Sequence, residues 1–304
     1  MDDWSSLFKE TFGVTCSERA FRSNFGVSPS VCNQVWEVLS TSNIPFQRVH
    51  LFWTLSFLKT YSKYDVLRTH FGASEKTIRF WLWKVIDELY KHFDEVFFIF
   101  IFLLFYSYIY ILHLIYFNSF FFLKKKIHME DRFNQNEFEN TNLAVDVTVC
   151  PIQKPKNSKK QRRFYSGKHK CHVVKWEVGV RISDGKVCWF SYPFQGRRHD
   201  LYVFRNSGIK DELEENEKVL TDKAYVGEAT AITPYKKVAG GLSDEQLLHN
   251  GQVNKSRVIV ERVFGRLKDF TCLKVAWRHS LAKQNKCFVL CLHITNLQMK
   301  ENPL

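Results

Sequence analysis

The sequence predicts an α/β domain preceded by an all-helical one, on two observations. Within residues 1–95, apolar residues recur at helical spacing in the stretches 51–61 and 77–90. After residue 140, short β-branched and aromatic runs broken by turn signals alternate with helix-like stretches, the order expected of a sheet covered by helices. A hydrophobic insert over 96–126 separates the two, so the expected organisation is a helical domain over 1–95, the insert, and an α/β domain over 127–304.

In the first zone, LFWTLSFLKTY (51–61) and TIRFWLWKVIDELY (77–90) carry the helical periodicity. The segment 60–90 reads as a short helix, a Phe71-Gly72 turn, an N-cap at Ser74 and a second helix whose core residues are Ile78, Trp81, Leu82, Val85 and Leu89. Spacing alone fits an ordinary helical hairpin. It also fits a helix-turn-helix, which would bring Ser74, Glu75, Lys76, Thr77 and Arg79 to DNA.

The run 96–123 has no charged residue apart from His113 and ends in Lys124-Lys125-Lys126. It is long enough to cross a bilayer, and a membrane-anchored protein is one reading. Its Phe, Ile, Leu, Tyr, Ser, Asn and Lys content is also what translated A/T-rich noncoding DNA, such as an unspliced intron, would give; a buried insert is a third reading.

In the last zone the strand candidates are LAVDVTV (143–149), HVVKWEVGVRI (172–182), KVCWFSY (186–192) and KVLTD (218–222), with a turn at Ser183-Asp184-Gly185. Helices are expected over 200–215 and 257–270. Lys and Arg total 44 against 31 Asp and Glu, a net charge of +13 that points to a polyanionic partner, either nucleic acid or an anionic membrane. The eight cysteines are scattered without a CxxC pair, which argues against a disulfide framework and suits a reducing compartment. Cys287, Cys291 and His293 lie in an apolar stretch and read as core residues rather than a zinc corner.

Three carboxylates stand out. Asp146 sits inside an apolar strand, where its charge needs compensation by a cation unless it faces solvent. Asp222 ends a short apolar strand, the edge at which α/β proteins place their sites. Glu261 lies on a helix four residues after Arg257, so a surface ion pair is the plain reading of it alone. Together, two strand aspartates and a helix glutamate can hold divalent cations about 4 Å apart for phosphodiester chemistry.

The ordered series LAVDVTVCPIQKP, FYSGKHKCHVVKWEV, PFQGRRHD, VLTDKAYVG, ITPYKK, LSDEQ and RVIVERVFGRLK, across residues 129–298, resembles the PIF/Harbinger transposases of the DDE superfamily. That resemblance implies a ribonuclease-H-like fold, a Mg- or Mn-dependent endonuclease, and Asp146, Asp222 and Glu261 as the catalytic, metal-binding triad. It also maps a Gly-x-x-His-Asp motif onto Gly196, His199 and Asp200, with Asp200 capping the next helix or assisting the site alongside His199. The family commonly has Asp-Gly-Thr at the first carboxylate, where this chain has Asp146-Val147-Thr148. A valine is compatible with a strand, so the geometry is expected to survive. The resemblance further implies a helix-turn-helix ahead of the nuclease domain, a separate Myb-like helper protein, DNA as substrate and nuclear location. A domesticated DNA-binding protein without transposition is the alternative.

Between Lys154 and Lys175 there are nine basic residues and no acidic one: Lys154, Lys156, Lys159, Lys160, Arg162, Arg163, Lys168, Lys170 and Lys175. With Phe164 and Tyr165 interleaved, this reads as a phosphate-tracking loop beside Asp146, as a solvated flexible loop, or as a nuclear import signal in KPKNSKKQRR.

Overall fold

A helix starts wherever a side chain can satisfy its first free N–H groups, and the amino-terminal region is punctuated in this way. The computed structural model describes residues 2–13, 17–105, 138 and 140–304. Ser17 accepts from the Ala20 N–H to open α2 (Glu18–Phe25), and the left-handed Gly26 ends it. Ser28 accepts from Val31, with Pro29 in the first turn, to open α3 (Pro29–Ser40). These helices, with α1 (Asp2–Phe12) and α4 (Arg48–Thr60), enclose an aromatic core in which Phe25 stacks on Phe52 at 4.2 Å.

The expected pair over 60–90 is present as α5 (Tyr64–Phe71) and α6 (Glu75–Phe105). Gly72, at φ 66°, closes α5 in the left-handed region, and the Ser74 hydroxyl accepts from the Thr77 N–H at 3.1 Å. Trp83 Nε1 donates to the Tyr64 hydroxyl at 2.9 Å, tying the two helices together. Ile78, Leu82, Val85 and Leu89 are buried as expected. Trp81 is only half-buried; it stacks on His50 at 4.2 Å instead of filling the core. Burial lowers the His50 imidazole to about 4, so the ring is neutral and its Nδ1 can accept the Gln47 N–H.

Of the hydrophobic run, 96–105 continue α6 and the remainder lies outside the described residues. Among the described residues, no helix is long and apolar enough to cross a membrane. Two compact units emerge: residues 1–125 with 282–294, and residues 126–281 with 295–304. The last helix, α10 (Leu281–Glu301), contributes to both. In the first unit Cys287 and Cys291 are fully buried thiols and His293 stacks on Phe93 at 4.4 Å, as their apolar surroundings in the sequence predict.

The second unit is built on β1 (Thr141–Pro151), whose apolar content on both faces suits a central strand. It pairs antiparallel with β3 (Cys171–Arg181) and parallel with β6 (Lys218–Leu220). Beyond β3 lie β2 (Tyr165–Ser166), β4 (Val187–Phe190) and β5 (Phe194–Gln195), all antiparallel to it. Beyond β6 lies β7 (Ala231–Ile232), parallel to it.

Alternation along β1 separates the two faces of the sheet. Leu143 and Val145 join a buried cluster with Val219, Tyr225 and Phe204, the last from α8 (Asp200–Asn206). Asp146, one residue on, meets α9 (Asp244–Leu267). The helix expected over 200–215 is therefore shorter: it stops at Asn206, because Gly208 at φ 91° breaks the chain into a one-turn 3-10 helix over Ile209–Asp211. Conversely, α9 begins well before 257, at a capping box in which Ser243 and Gln246 bond each other's backbone N–H.

Candidate active site

The parallel register of β1 and β6 ends at Ala144↔Leu220, and Asp146 and Asp222 each lie two residues beyond that pair, on the same carboxyl side of it. Adjacent strands run about 4.8 Å apart, so their charges interact. Burial raises the Asp146 carboxyl to about 6; the Val147 N–H, donating to it at 2.7 Å, and Arg257 oppose this, while Asp222 and Asp200 add to it. Asp222 is held at the end of β6 by accepting the Ala224 N–H at 2.7 Å, which starts a 3-10 turn.

Glu261 approaches from α9. Its carboxylate is 2.6 Å from Arg257 Nη2, and Arg257 Nη1 is 3.8 Å from Asp146 Oδ2. The plain reading of Arg257 and Glu261 as an i,i+4 ion pair is thus present, but its cation also faces the first aspartate. Among the described residues, no three His, Cys, Asp or Glu side chains are close enough together to hold a metal ion. The two aspartates are brought together; Glu261 is beside them, held by Arg257.

Lys268, one helical stretch further on, donates from Nζ to the carbonyls of Val149 and Leu273 and lies 3.1 Å from Cys150 Sγ. It fixes the carboxyl end of α9 to the carboxyl end of β1, which sets where Glu261 can reach.

Asp200 does not cap α8. The N-cap position belongs to His199, which is exposed and makes no capping bond, while Asp200 pairs with Lys175 Nζ at 2.8 Å. Lys175 also donates to the Arg198 carbonyl at 2.7 Å. It is therefore a buried structural cation and leaves the basic track in which its charge had placed it. The glycine of the Gly-x-x-His-Asp motif has a packing reason: a Cβ on Gly196 would lie 2.3 Å from the Phe164 carbonyl and 2.6 Å from that of Val173.

The rest of the basic segment is exposed: Lys154, Lys156, Lys159, Lys160, Arg162, Arg163, Lys168 and Lys170 all face solvent. It is not simply a loop. Asn157 accepts from the Lys160 N–H and opens α7 (Ser158–Phe164), which carries four of these cations on one short rigid element. Ser74, Lys76, Thr77 and Arg79 are likewise exposed at the start of α6.

Two buried polar groups escape the sequence reading. Glu177, on β3 opposite Val147, is wholly buried, and burial pushes its carboxyl up to about 8; the nearby Ser207 hydroxyl pulls the other way, while Asp146 and Asp200 add to the rise. The Tyr225 hydroxyl is raised well above its usual value, first by burial and then by Glu177 and the three aspartates. The alternation in HVVKWEV, with Lys175 and Glu177 on one face of an otherwise apolar strand, is the signal that could have found the glutamate.

A mixed sheet with Asp146 in the middle of its central strand, Asp222 just past the end of the neighbouring strand, and Glu261 on the helix that meets Asp146 through Arg257 is an arrangement compatible with a carboxylate-site nuclease. Residues 145–296, from β1 into α10, match the family model described as "DDE superfamily endonuclease", and the chain belongs to that superfamily. It is similar to a protein named "Probable transposase for insertion sequence element IS702" from Microchaete diplosiphon, at 37% identity over 142 residues, 45% of this chain and 50% of the relative. The chain thus spans about half the length of that curated relative. No solved structure matches the chain.

Proposed function

We propose that this chain is a ribonuclease-H-like transposase nuclease of the PIF/Harbinger type that cleaves and joins DNA strands with Asp146, Asp222 and Glu261. The observation that carries this is that Asp146 and Asp222, each two residues past the last pair of the β1–β6 register, lie close enough for Asp222 to act on the Asp146 carboxyl, inside the region that matches the superfamily. The strand order fits the fold: an antiparallel β4–β3–β1 set extended by two strands parallel to β1.

The donor chemistry fits a hard divalent cation, Mg or Mn. All candidate ligands are carboxylate oxygens, and Asp146 is raised by burial and by Asp222, the signature of negative charge awaiting compensation. Asp146 and Asp222 would hold the cation, and Glu261 would complete the set once parted from Arg257. When bound, such a cation supplies an electrophile that acidifies the attacking water or sugar hydroxyl and offsets charge at the phosphorus. The protein's part is to position. Val147 N–H orients Asp146, Ala224 N–H orients Asp222, and Lys268 anchors α9 against β1.

The exposed cations from Lys154 to Lys170 form the track for the DNA backbone, and Ser74, Lys76, Thr77 and Arg79 at the start of α6 form a second contact as a helix-turn-helix. The same basic run serves as a nuclear import signal, and a Myb-like helper assists target recognition, on the strength of the resemblance. A second reading, a domesticated DNA-binding protein, draws support from the Arg257–Glu261 pair, which leaves no complete three-carboxylate set among the described residues.

The test is nicking of supercoiled plasmid by the full chain, with and without Mg or Mn, beside Asp146→Asn. Cation-dependent nicking that the variant lacks supports the nuclease; salt-sensitive binding with no nicking under any cation supports the binder.

A further inference from the structure

Arg257 is an unusual neighbour for a cation site. Its side chain is 16% exposed and lies between Asp146, 21% exposed, and Glu261, 52% exposed. Its guanidinium makes one short contact, 2.6 Å to Glu261, and one long one, 3.8 Å to Asp146. Its Nε is buried with no hydrogen-bond partner among the described residues. A guanidinium that was a settled structural element would have its donors paired, because a buried unmet donor is costly. This one is a positive charge placed between two carboxylates and only partly satisfied by them.

The geometry of α9 makes the arrangement reversible. Side chains on a helix lean toward its amino end, so Glu261 reaches back naturally to the residue four earlier. A change of Glu261 rotamer parts the pair without moving the helix, whose end is fixed to β1 through Lys268.

We propose that Arg257 is a resident counter-cation: in the cation-free protein it occupies the gap between Asp146 and Glu261, and it is exchanged for a divalent cation when the site loads. This rests on the assignment of Asp146, Asp222 and Glu261 as the cation's ligands. Arg257 is then a positioning residue. It prevents the empty carboxylates from repelling one another, and it lowers the affinity of the site by competing for two of the three ligands.

The experiment is titration of the full chain with Mn alone, read as free Mn by electron paramagnetic resonance. Wild type is compared with Arg257→Gln, Asp146→Asn and Arg262→Gln. Arg262 is exposed on the same helix, so its variant removes the same charge without touching the pair. The expected result is binding by wild type, loss of it in D146N, about tenfold tighter binding in R257Q and less than about twofold change in R262Q. In addition, the melting temperature of R257Q falls below wild type without Mn and recovers when Mn is added. If R257Q and R262Q shift affinity equally, or R257Q weakens it, the counter-cation role is wrong while the cation site stands. If neither wild type nor R257Q binds Mn, the cation site itself fails and takes this role with it. Should R257Q not fold, Arg257→Lys keeps the charge but reaches one carboxylate at a time; affinity between wild type and tenfold tighter is expected, and affinity equal to or weaker than wild type overturns the proposal.

Discussion

The ammonium group of Lys175 lies 2.8 Å from the carboxylate of Asp200, with the two side chains only 8% and 16% exposed. The bond joins the middle of β3 to the first turn of α8, and the second donation, to the Arg198 carbonyl, holds the preceding turn in place. It accounts for the aspartate of the Gly-x-x-His-Asp motif without giving it a catalytic role.

Breaking this pair from one side leaves the other charge buried. Lys175→Met is expected to cost about 3–5 kcal/mol of stability, and Lys175→Met with Asp200→Leu to recover much of that. Urea unfolding of the two variants checks it. A single variant within about 1 kcal/mol of wild type would mean the pair is solvated and structurally idle.

Glu177 predicts a pH dependence with a definite sign. Its carboxyl holds a proton to about 8 in the fold, against 4.5 ordinarily. Between these values the folded state binds the extra proton, so stability from this group is greatest below 4.5, falls as pH rises through the window, and is lowest above 8. The full loss is about 3–5 kcal/mol. Glu177→Gln removes the ionisable group, so its stability relative to wild type should rise between about pH 5 and 8.5 in urea titrations. Parallel curves for the two proteins would place the Glu177 proton elsewhere.

Gly196 seats α7 on the sheet. Gly196→Ala forces a Cβ to within 2.3 Å of one backbone carbonyl and 2.6 Å of another, which only a backbone shift can relieve. The expected cost is about 1–3 kcal/mol, with faster amide exchange over 158–166. Unchanged exchange there would show that the close approach relaxes freely.

The basic track predicts salt-dependent DNA binding. Replacing Lys159, Lys160, Arg162 and Arg163 by Ala should flatten the plot of log affinity against log salt by about 0.9 for each phosphate left without its cation. The weakening should be similar on unrelated duplex sequences. An unchanged slope would move the DNA path away from α7.

Much of the fold is legible in the residues because its signals are local. The strands around Asp146 and Asp222 show as β-branched runs, and the α5–α6 turn as Gly72 followed by a capping Ser74. What stays hidden depends on long-range contacts. Asp200 has the position of a helix cap, but a buried lysine 25 residues earlier recruits it. Lys175 resembles one more surface cation, since charge counts carry no information on which face of a strand a residue occupies. Glu177 beside it is signalled only by the alternation of HVVKWEV, which a count of charges does not register. The Arg257–Glu261 spacing has the form of a surface pair; its third member, Asp146, comes from a strand more than a hundred residues away. The basic segment has the composition of a loop because its cations mask the Asn157 cap that makes part of it a helix.

If Asp146, Asp222 and Glu261 form one cation-dependent nuclease site, cleavage of a labelled duplex by the Asp222→Cys variant of the chain reads it most directly. A thiolate is a poor ligand for Mg and a better one for Mn. The variant is expected to lose cleavage with Mg, where wild type is active, and to regain it with Mn. Cleavage by the variant at the wild-type rate with Mg would remove Asp222 from the site, because the reaction would then proceed without its carboxylate.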